Sequence, residues 1–220
     1  MILSLWQSSY KKYGITKLGD YADEEQSTLI KKYFKFIFVR NPFDRLLSAY
    51  KDKIECGVDL RSTCNLQTSP NHRLAIGRAI YNANIRQDAI LLKSGKSITF
   101  KEFLQVLIDK PVGNKHWMQY KNVVDFCDFE FDHIGKVETI NDDAQYVMSK
   151  LLPGEDNASY NMYFPSSNGN GSRKSNYYQA INKSTLQTIL NMYENDFDAF
   201  NYPKKLPHFH MVLSQRHLTE

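Results

Sequence analysis

The run Phe34-Lys35-Phe36-Ile37-Phe38-Val39-Arg40-Asn41-Pro42 constrains the fold of this chain more than any other stretch. Its aromatic and β-branched residues up to Val39 predict a strand, and Arg40-Asn41-Pro42 ends it. Asn41 can act as an N-cap and Pro42 fits the first helical position, so a helix begins there. Within that helix Phe43, Leu46, Leu47, Tyr50 and Ile54 form a buried stripe, while Asn41, Arg45 and Ser48 fall on another face. A strand that runs straight into a helix is half of a βα unit, the building block of a parallel sheet.

The rest of the chain repeats that alternation. Upstream, Asp23-Glu24-Glu25 opens a weakly helical run reaching Ile30. Residues 57–73 hold Gly57, Pro70, Asn71 and several Ser and Thr, which predicts an irregular loop, and a mixed helical pattern follows from Leu74 to Leu92. Thr99-Phe100-Lys101-Glu102 is a capping box for a helix that carries Phe100, Phe103, Leu104, Leu107 and Ile108 on one side and ends at Pro111 and Gly113. A second strand is predicted around His133 to Val137. Asn141 should then cap a helix with Asp142 and Asp143 in its first turn. Residues 153–175, rich in Asn, Ser and Gly, read as a long exposed loop. A last helix starts at Ser184 and buries Leu186, Ile189, Leu190, Tyr193, Phe197 and Phe200. The expectation is an α/β fold with a mainly parallel central sheet flanked by helices, in one domain over residues 1–203, with 204–220 as a loose tail.

Composition narrows the function classes. A formal charge of +4 on 220 residues is spread along the chain, which suits a single anionic ligand and argues against a nucleic-acid track. No stretch approaches the roughly 18 apolar residues of a membrane helix. Cys56, Cys64 and Cys127 have no CxxC spacing, so no structural zinc site is expected; a short disulfide loop from Cys56 to Cys64 is the alternative. His208 and His210 lack a third ligand. Sequons at Asn157, Asn170 and Asn182 would permit glycosylation in a lumenal setting.

The residues themselves suggest an anion site. Arg40 sits at the carboxyl end of a strand and just before a helix N-terminus, where free N–H groups and the helix dipole favour negative charge. Its planar guanidinium suits phosphate oxygens, and Ser48 lies roughly two turns further along with Arg45 between. A second reading stays open, in which these arginines pair with Asp44, Asp52 or solvent at an ordinary helix start. His116 is the candidate general base, since neutral imidazole takes a proton near neutral pH; a structural histidine beside Trp117 is the other reading.

Phe38 to Lys53, FVRNPFDRLLSAYKDK, resembles the 3′-phosphate-binding motif of the Golgi carbohydrate sulfotransferases, the family of chondroitin, dermatan and GalNAc-4-O enzymes. ITFKEFLQVL from Ile98, KHWMQY from Lys115, FDHIGKVET from Phe131 and YENDFDAFNY from Tyr193 also resemble that family, in the same order. The resemblance implies a P-loop-kinase-like three-layer fold and 3′-phosphoadenosine-5′-phosphosulfate as sulfate donor. It implies that Arg40 and Ser48 hold the 3′-phosphate while Asn41 and Arg45 support the turn, and that Arg173 and Lys174 belong to a basic loop closing over the nucleotide. His116-Trp117 matches the family's His-Trp pair, with Lys115 replacing an acidic residue. A glycan hydroxyl would be the acceptor, no metal would be needed, and the setting would be the Golgi lumen, through an upstream membrane anchor. The family's Pro-Lys-x-Gly/Ala loop for the 5′-phosphosulfate has no match here, and Met1 to Trp6 resembles the helix that follows it. On that basis the first strand and loop are expected to be missing, by truncation or by a true loss of catalysis that leaves a glycan-binding or regulatory relative. Val124 and Cys127 stand where relatives carry a Cys pair.

Overall fold

The structure, a computed structural model, describes residue 16 and residues 18–55, 70–89, 91, 98–124, 130–154 and 177–207. All three cysteines, Arg173, Lys174, His208, His210, Met1 to Trp6 and the sequons at Asn157 and Asn170 lie outside the described residues. The chain divides into two compact units, Met1–Arg40 with Tyr120–Asn168, and Asn41–Gln119 with Gly169–Glu220.

In the first unit, helix α1 (Asp23–Lys32) opens on Asp23, Glu24 and Glu25 and closes on Lys31 and Lys32, charges placed to suit its dipole. Strand β1 (Phe36–Val39) pairs in parallel with β2 (His133–Lys136), so the expected α/β class and parallel pairing are present. Register is set from Phe36 opposite His133 to Val39 opposite Lys136. A clamp fixes its start: Lys35 N donates to Asp132 Oδ2 at 2.7 Å, and the Lys35 ammonium sits 2.9 Å from the same carboxylate. Gly135 faces Phe38, and a Cβ there would lie 2.6 Å from the Phe38 ring, so only glycine fits that rung without a shift.

Helix α5 (Ile140–Leu151) packs on β2, but its start differs from expectation. Thr139 rather than Asn141 occupies the cap position, without a side-chain cap bond. Asp143 reaches back from the first turn, accepting from Lys136 N at 2.9 Å and Thr139 Oγ1 at 2.5 Å and lying 3.0 Å from His133 Nε2. Burial works to raise its pKa, yet these bonds and the neighbouring histidine hold the carboxyl below its ordinary value. This carboxylate closes the strand-to-helix turn.

The second unit is helical in its described part. Helix α2 (Pro42–Lys53) starts as expected, with Asn41 Oδ1 accepting from Phe43 N at 3.0 Å, and its stripe Phe43, Leu46, Leu47, Tyr50 and Ile54 is buried. Helix α3 spans Pro70–Asn82, earlier than the Leu74 to Leu92 pattern suggested. It stops where Asn84 adopts a left-handed φ of 56°, a conformation Asn tolerates better than most residues. Helix α4 (Phe100–Asp109) carries the full Thr99–Glu102 capping box and contacts α2, α3 and α6. Its Phe103 meets Trp117 edge to face at 5.5 Å between ring centres, and both are buried.

The single last helix expected from Ser184 is two helices, α6 (Lys183–Met192) and α7 (Glu194–Ala199). Asn182 is the cap, accepting from Thr185 N at 2.7 Å. The break falls at Tyr193, whose φ of −104° and ψ of 15° leave helical geometry. The predicted apolar positions remain buried across it because the chain resumes a helix at once.

Candidate functional site

The strand-turn-helix motif brings its pieces together through chain continuity. Arg40 follows β1 directly and Asn41 begins the cap of α2. Arg40 is half-buried, and among the described residues no hydrogen bond or ion pair engages its guanidinium. Ser48 is half-buried on α2.

Arg45 behaves differently. Its Nη1 donates to Met118 O at 2.6 Å and its Nη2 to Lys115 O at 3.0 Å, and buried Asp196 on α7 lies 3.9 Å away. The side chain is only 12% exposed, so its fork is spent on the loop that carries His116. Sequence periodicity put Arg45 on the same face as Ser48; the fold bends the loop over it.

That loop, residues 112–119, is anchored from several sides. His116 N donates to Asn114 Oδ1 at 3.0 Å, and Trp117 Nε1 to Val112 O at 2.6 Å, which close the turn locally. Tyr193 Oη donates to Trp117 O, and Gln119 Nε2 donates to Met192 O. Tyr193, at the break in the last helix, thus steadies this loop through its hydroxyl, and burial pushes its phenol pKa up. Trp117 is 2% exposed and belongs to the core rather than to a sugar platform.

His116 is half-buried, and its ring lies 5.6 Å from that of His72 on α3, nearly perpendicular to it. His72 in turn meets Trp117 at 5.9 Å. Burial, followed by the charges of Lys53, His72 and Lys115, pushes the His116 pKa down to about 4. The imidazole is therefore neutral at physiological pH with a lone pair to accept a proton, though a weaker base than free histidine. His72 is lowered as well, chiefly by burial and then by Lys53. Sequence reading missed His72, because residues 57–73 carried loop signals and a histidine there stands out by nothing local.

Among the described residues no group of three His, Cys, Asp or Glu side chains could hold a metal ion, and no helix is long and apolar enough to cross a membrane.

Comparison with known proteins adds independent evidence. Carbohydrate sulfotransferase 11 of Danio rerio is 30% identical over 191 residues, covering 84% of this chain and 51% of that protein. Carbohydrate sulfotransferase 10 of Homo sapiens is 30% identical over 206 residues, covering 89% and 54%, and carbohydrate sulfotransferase 12 of Mus musculus is 28% identical over 196 residues, covering 86% and 44%. The chain spans about half the length of the curated relatives it matches. No solved structure matches it. The model described as the sulfotransferase family matches residues 7–203, nearly the whole chain, and the chain belongs to that family.

Proposed function

We propose that this chain carries the 3′-phosphate half and the acceptor half of a carbohydrate sulfotransferase site, acting in the Golgi lumen on a glycan hydroxyl with 3′-phosphoadenosine-5′-phosphosulfate as donor. The observation that carries the reading is Arg40, a half-buried guanidinium with no partner among the described residues, set between a parallel strand and an Asn-capped helix. Such a position favours a phosphate through full charge, fork geometry and the helix N-terminus together. By family likeness Ser48 is assigned a hydroxyl contact to the 3′-phosphate, and Asn41 caps the first turn of α2. Arg45 contributes at one remove, by holding the backbone of Lys115 and Met118. Arg173 and Lys174 are assigned to closure over the nucleotide on family likeness.

The bound donor supplies the activated sulfuryl group. The chain's own part is to hold the nucleotide, seat the sugar and take the hydroxyl proton. His116 Nδ1 or Nε2, neutral near pH 7, receives that proton as the hydroxyl oxygen bonds to sulfur and the sulfur–oxygen bond to the nucleotide's 5′-phosphate breaks.

Calorimetry with 3′-phosphoadenosine-5′-phosphate tests the donor assignment. Arg40→Ala should weaken binding by about 2 kcal/mol, or roughly thirty-fold in Kd, with the melting temperature unchanged. Equal affinity of Arg40→Ala and the parent protein would overturn it.

A further inference from the structure

The sequon Asn182-Lys183-Ser184 falls on described residues, at the start of α6. A sequon is usable where the folded chain leaves its asparagine nitrogen open to solvent and has room for a bulky polar group. Asn182, Lys183 and Ser184 are all exposed. Asn182 is also the N-cap of α6, with an extended backbone at a φ of −70° and a ψ of 157°.

The two polar atoms of its side-chain amide have different tasks. Oδ1 accepts from Thr185 N at 2.7 Å and from Ser184 Oγ at 2.8 Å. A backbone N–H can only donate, so the amide atom facing Thr185 N is the oxygen, and the cap itself fixes which way the amide points. Nδ2 lies on the other arm of the amide, and among the described residues no hydrogen bond engages it.

The surroundings leave room at that atom. Helix α6 buries Leu186, Ile189 and Leu190, while Gln187 and Thr188 near the cap are exposed and polar. The 10 residues of α6, about 15 Å at 1.5 Å per residue, separate Asn182 from Met192 and Tyr193, which hold the 112–119 loop. A group on Nδ2 is therefore rooted at the end of α6 away from the loop that carries His116.

We propose that Asn182 is an N-glycosylation site at which glycan and helix cap use different atoms of one amide, Nδ2 for the sugar and Oδ1 for α6. The assignment rests on the lumenal setting of the reading above and adds a covalent modification to it. In the transfer, Nδ2 loses one proton and bonds to C1 of the first sugar of a lipid-diphosphate-linked oligosaccharide, as the C1–oxygen bond breaks and the lipid diphosphate leaves. The product is a secondary amide that keeps its carbonyl oxygen, so it still accepts from Thr185 N and still caps the helix.

The test expresses the full chain behind a cleavable secretory leader in cultured eukaryotic cells, with Asn157→Gln and Asn170→Gln so that Asn182 is the remaining sequon. In cell lysate the chain should show a mobility shift that peptide N-glycosidase removes, with deamidation of Asn182 on mass spectrometry, and Ser184→Ala should lose the shift. Asp caps a helix as well as Asn does, so the glycosylated chain should melt no lower than Asn182→Asp, whereas Asn182→Ala should melt about 2–4 °C lower than either. Absence of the shift, a shift that survives Ser184→Ala, or a glycosylated chain that melts with Asn182→Ala would each overturn the proposal. Because the leader delivers the chain to the lumen, absence of the shift counts against Asn182 and not against the lumenal reading. That reading is tested separately, by protease protection of the native protein in intact Golgi vesicles.

Discussion

Arg45→Met separates a side chain that holds the fold from one that holds a ligand. Methionine keeps much of the stem and removes the fork, which donates at 2.6 Å to Met118 O and at 3.0 Å to Lys115 O beside Asp196. Hydrogen bonds from a charged donor are each worth about 1.5–3 kcal/mol, but the half-buried carbonyls of Lys115 and Met118 regain water in the variant, so roughly 1 kcal/mol is lost at each. Asp196 is only 3% exposed and loses a neighbouring cation, which brings the total to about 3–4 kcal/mol. For a chain of this length each kcal/mol moves the melting temperature by about 2–4 °C, so Arg45→Met should melt about 10 °C lower. Thermal unfolding followed by circular dichroism measures this, and urea midpoints give the free energy. Asp196→Asn in the same background should cost less than in the parent, with a coupling of at least about 1 kcal/mol. A drop below about 2 °C with additive double-mutant energies would refute the account. At a temperature where Arg45→Met is folded, its affinity for 3′-phosphoadenosine-5′-phosphate should stay within about threefold of the parent; a larger loss would put the fork on the nucleotide.

Three further outcomes follow from the geometry. His116 titrates near 4 in the folded chain and near its ordinary value when unfolded, so the unfolded state binds the extra proton between those limits; stability should fall as pH drops from about 6.5 to about 4, and His116→Gln should flatten that part of a urea-midpoint profile. Gly135→Ala would bring a Cβ to 2.6 Å from the Phe38 ring and 3.0 Å from Asp143 Cβ, and overpacking of this kind should cost about 1–3 kcal/mol in chemical denaturation. Thr99→Ala removes the cap on Glu102 N and should cost about 1 kcal/mol, whereas Thr99→Ser should recover most of it.

Local signals were read correctly where one turn of chain contains the whole interaction. Asn41 and Pro42 start α2, Thr99 and Glu102 close a capping box, and the stripe from Phe43 to Ile54 is buried. Misreadings arose where a distant group decides a local outcome. Asn141 has cap chemistry, yet Thr139 takes the cap position without a side-chain bond, and the first-turn Asp143 accepts from Lys136 N of β2. The last helix has unbroken periodicity, yet it breaks at Tyr193, whose hydroxyl is tied to Trp117. The segment holding His72 and Arg73 carries Pro70 and Asn71, turn formers that also suit a helix start, and only packing chose between those uses.

The amino-acid sequence by itself determined the α/β class, the strand-to-helix motif around Arg40 and, through the order of its motifs, the family. These depend on propensities and spacings within a few residues, which a chain displays before it folds. Tertiary structure alone decided that Arg40 has no partner among the described residues while Arg45 has several, and that His116 stands against His72. Arg45 meets Met118 across a separation of 73 residues. No pattern within a few residues encodes such a meeting, because it exists only once α2, the 112–119 loop and α7 share one core.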